Sequence, residues 1–348
     1  MRGRDRGAGP AVSDGTVYDE LTRQNRRATR LLLAGGVVIV AVLVWVIAGL
    51  LLGGAVLEPE LGIPVTALGT AVGLVLTYAS YRSGPALALR AARARPVERH
   101  EAPELHNLLD EVCVAAGLGQ VRPRLHVVDD PAPNAFATGL SIEDSHVAVT
   151  TGLVERLPRY ELRAVLAHEV AHIVNDDLRA VTVAVATAGL VALLADVLVR
   201  AIWYGGRFRG SGRRSDGAAA IQLVLLVIGV LAAVLLPLAA QLIRFAVSRQ
   251  REFLADASAA ELLRDPQSMV DALRRLELDT TELSRFEVAT AHLWFEEPNA
   301  LEGHGGASRI ARRFATHPSI AERVARLATL NAGMVDPARP LPPTDPRR

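Results

Sequence analysis

His168-Glu169-Val170-Ala171-His172 lies in a stretch, Pro158 to Asp177, that reads as one helix. Pro158 stands where a first-turn proline is tolerated, and Leu162, Val165, Leu166, Val170 and Ile173 recur at three- and four-residue steps. Residues four apart share a helix face, so His168 and His172 can offer two imidazoles to one metal ion. Glu169 follows the first histidine, close enough to act on a water at that ion without being a ligand. Two ligands and a base at this spacing form the H-E-x-x-H arrangement, which suits metal-assisted hydrolysis. The bland alternative is an exposed helix face that happens to carry two histidines.

Outward from this stretch the chain is greasy. Half of its 348 residues are hydrophobic and the formal net charge is +1, which gives no reason to expect a nucleic-acid partner. Cys113 is the single cysteine, so no internal disulfide forms; this fits a catalytic part facing a reducing compartment, and Cys113 itself reads as a core packer. Residues 1–28, rich in Arg and Gly, read as a mobile cytoplasmic tail. Leu31 to Leu57 then runs 27 residues without a charge, and Leu61 to Tyr81 runs 21, with Glu58-Pro59-Glu60 between them. Each is long enough to cross a bilayer at about 1.5 Å per residue, so residues 29–82 are expected to form a transmembrane hairpin. Arginines flank both outer ends (Arg23, Arg26, Arg27 and Arg30 before; Arg82, Arg90, Arg93, Arg95 and Arg99 after), and the loop has none. The positive-inside rule puts both ends, and the metal motif that follows, in the cytoplasm.

A soluble pattern follows over residues 83–178. Pro103 to Ala116 reads as a helix stopped by Gly117, and Arg124 to Val128 as a strand. Asn134 to Gly139 and His146 to Thr150 read as a hairpin around Glu143-Asp144-Ser145. An edge strand beside a metal helix can hold an extended peptide by main-chain hydrogen bonds, or it can be no more than part of the sheet. Residues 179–247 hold two further apolar runs, Ala180 to Val199 and Ala218 to Ile243, as a second helix pair that is either spanning or re-entrant. The soluble pattern resumes over 248–335 and ends in a Pro-rich tail, 336–348. Within it Ser248 to Ala257 reads as a helix with Glu252 and Asp256 one turn apart. Catalytic zinc takes three protein ligands, and Glu252 can complete a His-His-Glu set. Asp256 can accept the second ring N–H of a ligand imidazole. Glu252 among arginines and Asp256 in a helix salt bridge are the plainer readings.

His168-Glu169-x-x-His172 followed, beyond the second pair of apolar runs, by Arg251-Glu252-x-x-Ala255-Asp256 resembles the HtpX-type membrane zinc metalloproteases, the family that includes the CAAX prenyl endopeptidases. Asn134-Ala135-Phe136-Ala137-Thr138-Gly139 and Thr316-His317-Pro318-Ser319-x-x-x-Arg323 extend the resemblance over nearly the whole chain. The resemblance implies one zinc ion held by His168, His172 and Glu252, with Glu169 as general base and Asp256 behind the ligands. It implies that His317 donates to the tetrahedral intermediate, although a helix-capping or surface role is open to a histidine before a proline. Asn134, Ala135, Phe136 and Ala137 are then the substrate-binding edge. The expected fold is a mainly α integral membrane protein, with four hydrophobic helices and a zincin-like α+β catalytic domain with a small β-sheet. The expected activity is zinc-dependent hydrolysis of polypeptides, misfolded or damaged membrane proteins above all, by a multi-pass protein of the inner or plasma membrane in contact with the lipid bilayer. A prenyl-protein endopeptidase and a non-catalytic membrane scaffold with a structural metal site are the alternatives.

Overall fold

The computed structural model describes residues 15–184, 186, 187, 189, 190, 193, 196, 249–281, 295 and 318–343. Helix α1 (Gly15–Leu52) leads through a 3-10 turn (Gly53–Leu57) into α2 (Pro59–Ala91). The break falls at the expected place, with Glu58 as N-cap and Pro59 in the first turn, where its missing N–H costs nothing. From Gly15 onward the stretch read as a mobile tail is helical instead. Extending a helix already nucleated by the apolar run fixes one residue per added hydrogen bond, and no proline lies between Gly15 and Leu31 to stop it.

Small residues bring the two helices together. A Cβ on Gly69 would lie 3.1 Å from the Ala41 carbonyl oxygen, and one on Gly73 2.7 Å from that of Val37. Close backbone approach of this kind is how helices associate in lipid, where burial of apolar surface gives no drive. Gly73→Val must therefore part the helices. We expect it to lower stability in detergent by about 1–3 kcal/mol, read by thermal or denaturant unfolding, and wild-type stability would show that the contact contributes nothing. Among the described residues α2 is the one helix long and apolar enough to cross a membrane, and α1 carries a shorter apolar stretch, Thr29–Trp45. The third apolar run is described in part, and the fourth lies outside the described residues.

A four-stranded mixed sheet follows: β1 (Arg95–Pro96), β2 (Arg124–Val128), β3 (Ala135–Gly139) and β4 (Ser145–Thr150), in the order β1-β2-β4-β3. β2 and β4 are parallel, and β3 returns antiparallel to β4 at the edge. Helix α3 (Pro103–Ala115) ends at Gly117, whose φ of +70° is the left-handed turn that glycine takes without penalty. Helices α4 (Thr151–Arg156) and α5 (Arg159–Val174) follow β4. Later come α6 (Arg249–Leu263), α7 (Pro266–Leu278) and α8 (Ile320–Leu330).

One sheet face, through Leu125, Val147, Val149, Ala135 and Ala137, shares a core with α3, α5, α6 and α7. Val128, Phe136 and Ala148 on the other face meet Ala88 and Leu89 at the end of α2. The sheet thus couples α5, which carries His168 and His172, to the N-terminal hairpin. Cys113 is fully buried in the main core, and burial pushes its thiol up to about 11, which makes it the inert packer expected.

Candidate active site

Helix α5 presents the motif as its spacing requires. Pro158 caps the helix, outside its first turn, and Leu162, Val165, Leu166, Val170 and Ile173 are all buried. The turn of helix carrying the motif is buried too, with His168 1% and Glu169 3% exposed, so the exposed-face alternative does not hold. Helix α6 lies against α5. Ala164 and Ala167 of one and Ala259 and Ala260 of the other share the core, and their small side chains allow the close approach.

That approach brings Glu252 to the histidines. The two Nε2 atoms are 3.1 Å apart, with Glu252 Oε2 3.7 Å from that of His168 and Oε1 3.6 Å from that of His172. Ligands to one tetrahedral zinc, at ordinary bond lengths, stand roughly 3.3–3.6 Å apart. His168 Nδ1 is 2.9 Å from Asp256 Oδ1, and His172 Nδ1 is 3.2 Å from Asp177 Oδ2. Each carboxylate accepts a hydrogen bond from the Nδ1–H of its imidazole, which leaves both Nε2 lone pairs aimed into one narrow gap. Two lone pairs at 3.1 Å repel unless a cation or proton lies between them, so the donor set fits a metal ion. Among the described residues these three are the group of His, Cys, Asp and Glu side chains that could hold one.

The electrostatics around the two ligands differ. Burial pulls His168 down to about 4, against the opposing hydrogen bond that it donates to Asp256. Burial also acts on His172, but the Asp177 hydrogen bond and the charge of Glu252 outweigh it and push this imidazole up to about 9. Positive charge is thus favoured at His172, where Asp177 and Glu252 face it, and disfavoured by burial at His168.

Behind Asp256 stands Arg323 of α8. It is 2% exposed and donates from Nε to Oδ2 at 2.8 Å and from one Nη to Oδ1 at 2.6 Å. Burial acts to lower the guanidinium, and Asp256 more than offsets it, holding Arg323 firmly charged. Its guanidinium also lies 4.4 Å over the Phe295 ring and donates to the Phe295 carbonyl at 3.3 Å. Phe295 meets His168 edge-on at 4.7 Å, and its N–H donates to Ala135 O at 2.7 Å. This contact locates the edge strand beside His168.

The strand's hydrogen bonds define what it offers. Thr150 donates to Asn134 O and Leu140 to Asp144 O, so alternation turns the main-chain groups of Ala135, Ala137 and Gly139 away from β4. Phe295 takes Ala135 O, the Asn134 side chain accepts from Ala135 N, and Thr182 Oγ1 accepts from Gly139 N. The outward pair on Ala137 lies between these contacts. Phe136, by contrast, turns its ring to the α2 side and its main chain to β4. His317 lies outside the described residues.

Asp177, Arg323 and Phe295 are not singled out for roles by sequence reasoning. Arg323 lies within the Thr316–Arg323 motif; Asp177, five residues beyond His172, offered the spacing of a carboxylate that could fold back past a helix end.

Comparison with known proteins agrees with this geometry. The profile of peptidase family M48 matches residues 99–331. A protease HtpX homolog of Streptococcus gordonii is 40% identical over 256 residues, 74% of this chain and 83% of its own length. One from Thermoanaerobacter pseudethanolicus is 39% identical over 261 residues, and one from Streptococcus thermophilus is 36% identical over 311, covering 89% of this chain and 99% of itself. The crystal structure of S. mikatae Ste24p aligns with a TM-score of 0.40 at 20% identity, over 81% of this chain and 63% of that one. Relatives of this similarity and extent decide the matter: the chain belongs to peptidase family M48 and stands there with the HtpX-type metalloproteases.

Proposed function

We propose that the protein is a membrane-bound zinc endopeptidase that hydrolyses misfolded or damaged membrane proteins at the cytoplasmic face. The observation that carries the reading is the convergence of two imidazole Nε2 atoms and one carboxylate within 4.8 Å, with Glu169 beside the first ligand. His168, His172 and Glu252 hold the ion, and imidazole and carboxylate donors at a tetrahedral spacing favour zinc among the divalent metals. When bound, the ion supplies Lewis-acid chemistry, polarising the scissile carbonyl and acidifying water. Glu169 takes the proton of the attacking water and returns it to the leaving amine. Asp256 and Arg323 fix the ring of His168, and the Ala137 N–H and C=O hold an extended substrate by main-chain bonds. His317 is assigned, on its motif alone, the role of oxyanion donor.

Membrane substrates follow from the surroundings of the site. Leu61, Ile63, Leu68, Leu74, Val75 and Tyr78 of α2 are 42–68% exposed, an apolar strip of the kind that faces lipid. The far end of that helix packs on the sheet that carries the edge strand. The arginines around the hairpin favour a cytoplasmic site.

Metal removal tests the centre directly. The purified protein is expected to hold one zinc, to lose cleavage of an unfolded polypeptide on chelation, and to regain it with added zinc. Glu252→Ala should bind zinc at least about 100-fold more weakly, measured by competition with a chromophoric chelator. Full zinc occupancy in that variant would remove Glu252 from the ligand set.

A further inference from the structure

The end of α5 aims a buried carboxylate back at the site. Asn175 closes the helix by donating to Ala171 O at 2.9 Å, and Asp176 then adopts φ +56°. This is the left-handed region, which Asp enters more readily than most residues. The reversal delivers Asp177 to the start of a helical stretch over residues 177–184, with its Oδ2 3.2 Å from His172 Nδ1 and its side chain 4% exposed. Helix α6 adds Arg251, 6% exposed, next in sequence to Glu252; the carboxylates acting on its charge are Asp177 and Glu252. Asp177 thus stands to His172 as Asp256 stands to His168. His172 needs such a support more, since its side chain is 15% exposed against 1% for His168, and less packing holds its ring.

We propose that Asp177 is the positioning residue of the second imidazole ligand: it accepts the Nδ1–H of His172 and fixes the tautomer and ring rotation that aim Nε2 at the metal. The proposal rests on His172 being a ligand, as read above. A carboxylate at the start of a helix has one competing use, as an N-terminal cap. A cap would stabilise the fold with or without metal and leave zinc affinity alone. A positioning residue acts on zinc affinity itself, since a ring free to rotate or to change tautomer must be reordered for each binding event.

The test uses the full chain in detergent micelles, with zinc affinity and release rate measured by chelator competition and with cobalt(II) absorption as a report on ligand geometry. Asp177→Ala is expected to weaken zinc binding about 10- to 100-fold and to alter the cobalt spectrum, while Asp177→Asn, which keeps an acceptor oxygen, falls between it and wild type. Wild-type zinc affinity in a folded Asp177→Ala, with only the melting temperature of the metal-free protein lowered, would overturn the proposal in favour of a cap. If Asp177→Ala does not fold, Asp177→Asn decides: affinity equal to wild type rejects the role. His172→Ala separates the two readings. If it binds zinc as well as wild type, the ligand assignment fails; if it loses zinc and the Asp177 variants do not, only the positioning role fails.

Discussion

Glu169→Gln is expected to leave zinc bound at wild-type affinity and to slow cleavage of an unfolded polypeptide by about 100- to 10,000-fold, the range of a general acid–base group. The substitution nearly conserves volume, so a site that is 3% exposed keeps its packing. What it removes is the ability to accept a proton. Glu169 is well placed for that task because it is buried on the same turn of helix as His168, next to it in sequence. Two measurements on one preparation decide the matter. Turnover near wild type with zinc retained would take the base role from Glu169, whereas zinc lost along with turnover would make it part of the metal's support.

The parts legible from sequence are those whose signal is local. The break at Glu58-Pro59-Glu60, the strand Arg124–Val128 and the stop at Gly117 each depend on a few adjacent residues, and each stands where the sequence puts it. The spacing of the two histidines is local as well, and the helix face follows from it. Pairing Glu252 with them required the motif, because nothing near Arg249–Leu263 says which helix it will meet. The supports were harder to see for the same reason. Arg323 reaches Asp256, and Phe295 reaches Ala135, from elements far away in the chain, and a lone arginine or phenylalanine carries no mark of its partner. Helix α7 hides its importance in a similar way: Arg275 of α7 makes a two-pronged pair with the buried Glu161 of α5, which ties the metal helix to the C-terminal part. Which way Phe136 turns was not legible either, because strand alternation alone gives no indication which sheet face meets α5 and which meets α2.

Arg323→Met should be the most destabilising single change at the site, costing about 3–5 kcal/mol at neutral pH. The guanidinium is 2% exposed and its two nitrogens match the two oxygens of Asp256, so truncation strands a buried carboxylate with half of its partners gone. Burial by itself would raise the Asp256 carboxyl; Arg323, with help from His168, overrides it and holds the group below its ordinary value. A depressed carboxyl contributes stability that is fully present above its unfolded value of about 3.9 and is lost as pH falls through the folded value. Removing Arg323 raises the folded value, so Asp256 takes up a proton more readily and the stranded charge is relieved by acid. The gap in stability between wild type and Arg323→Met is therefore expected to narrow as pH is lowered from 7 toward 4, in urea unfolding of the zinc-free proteins. Replacing both partners, as Arg323→Met with Asp256→Leu, should cost less than Arg323→Met alone, because no buried charge is then left unpaired. A gap that stays constant with pH, or a double variant that is merely additive, would mean that Arg323 acts through packing on Phe295 instead of through Asp256.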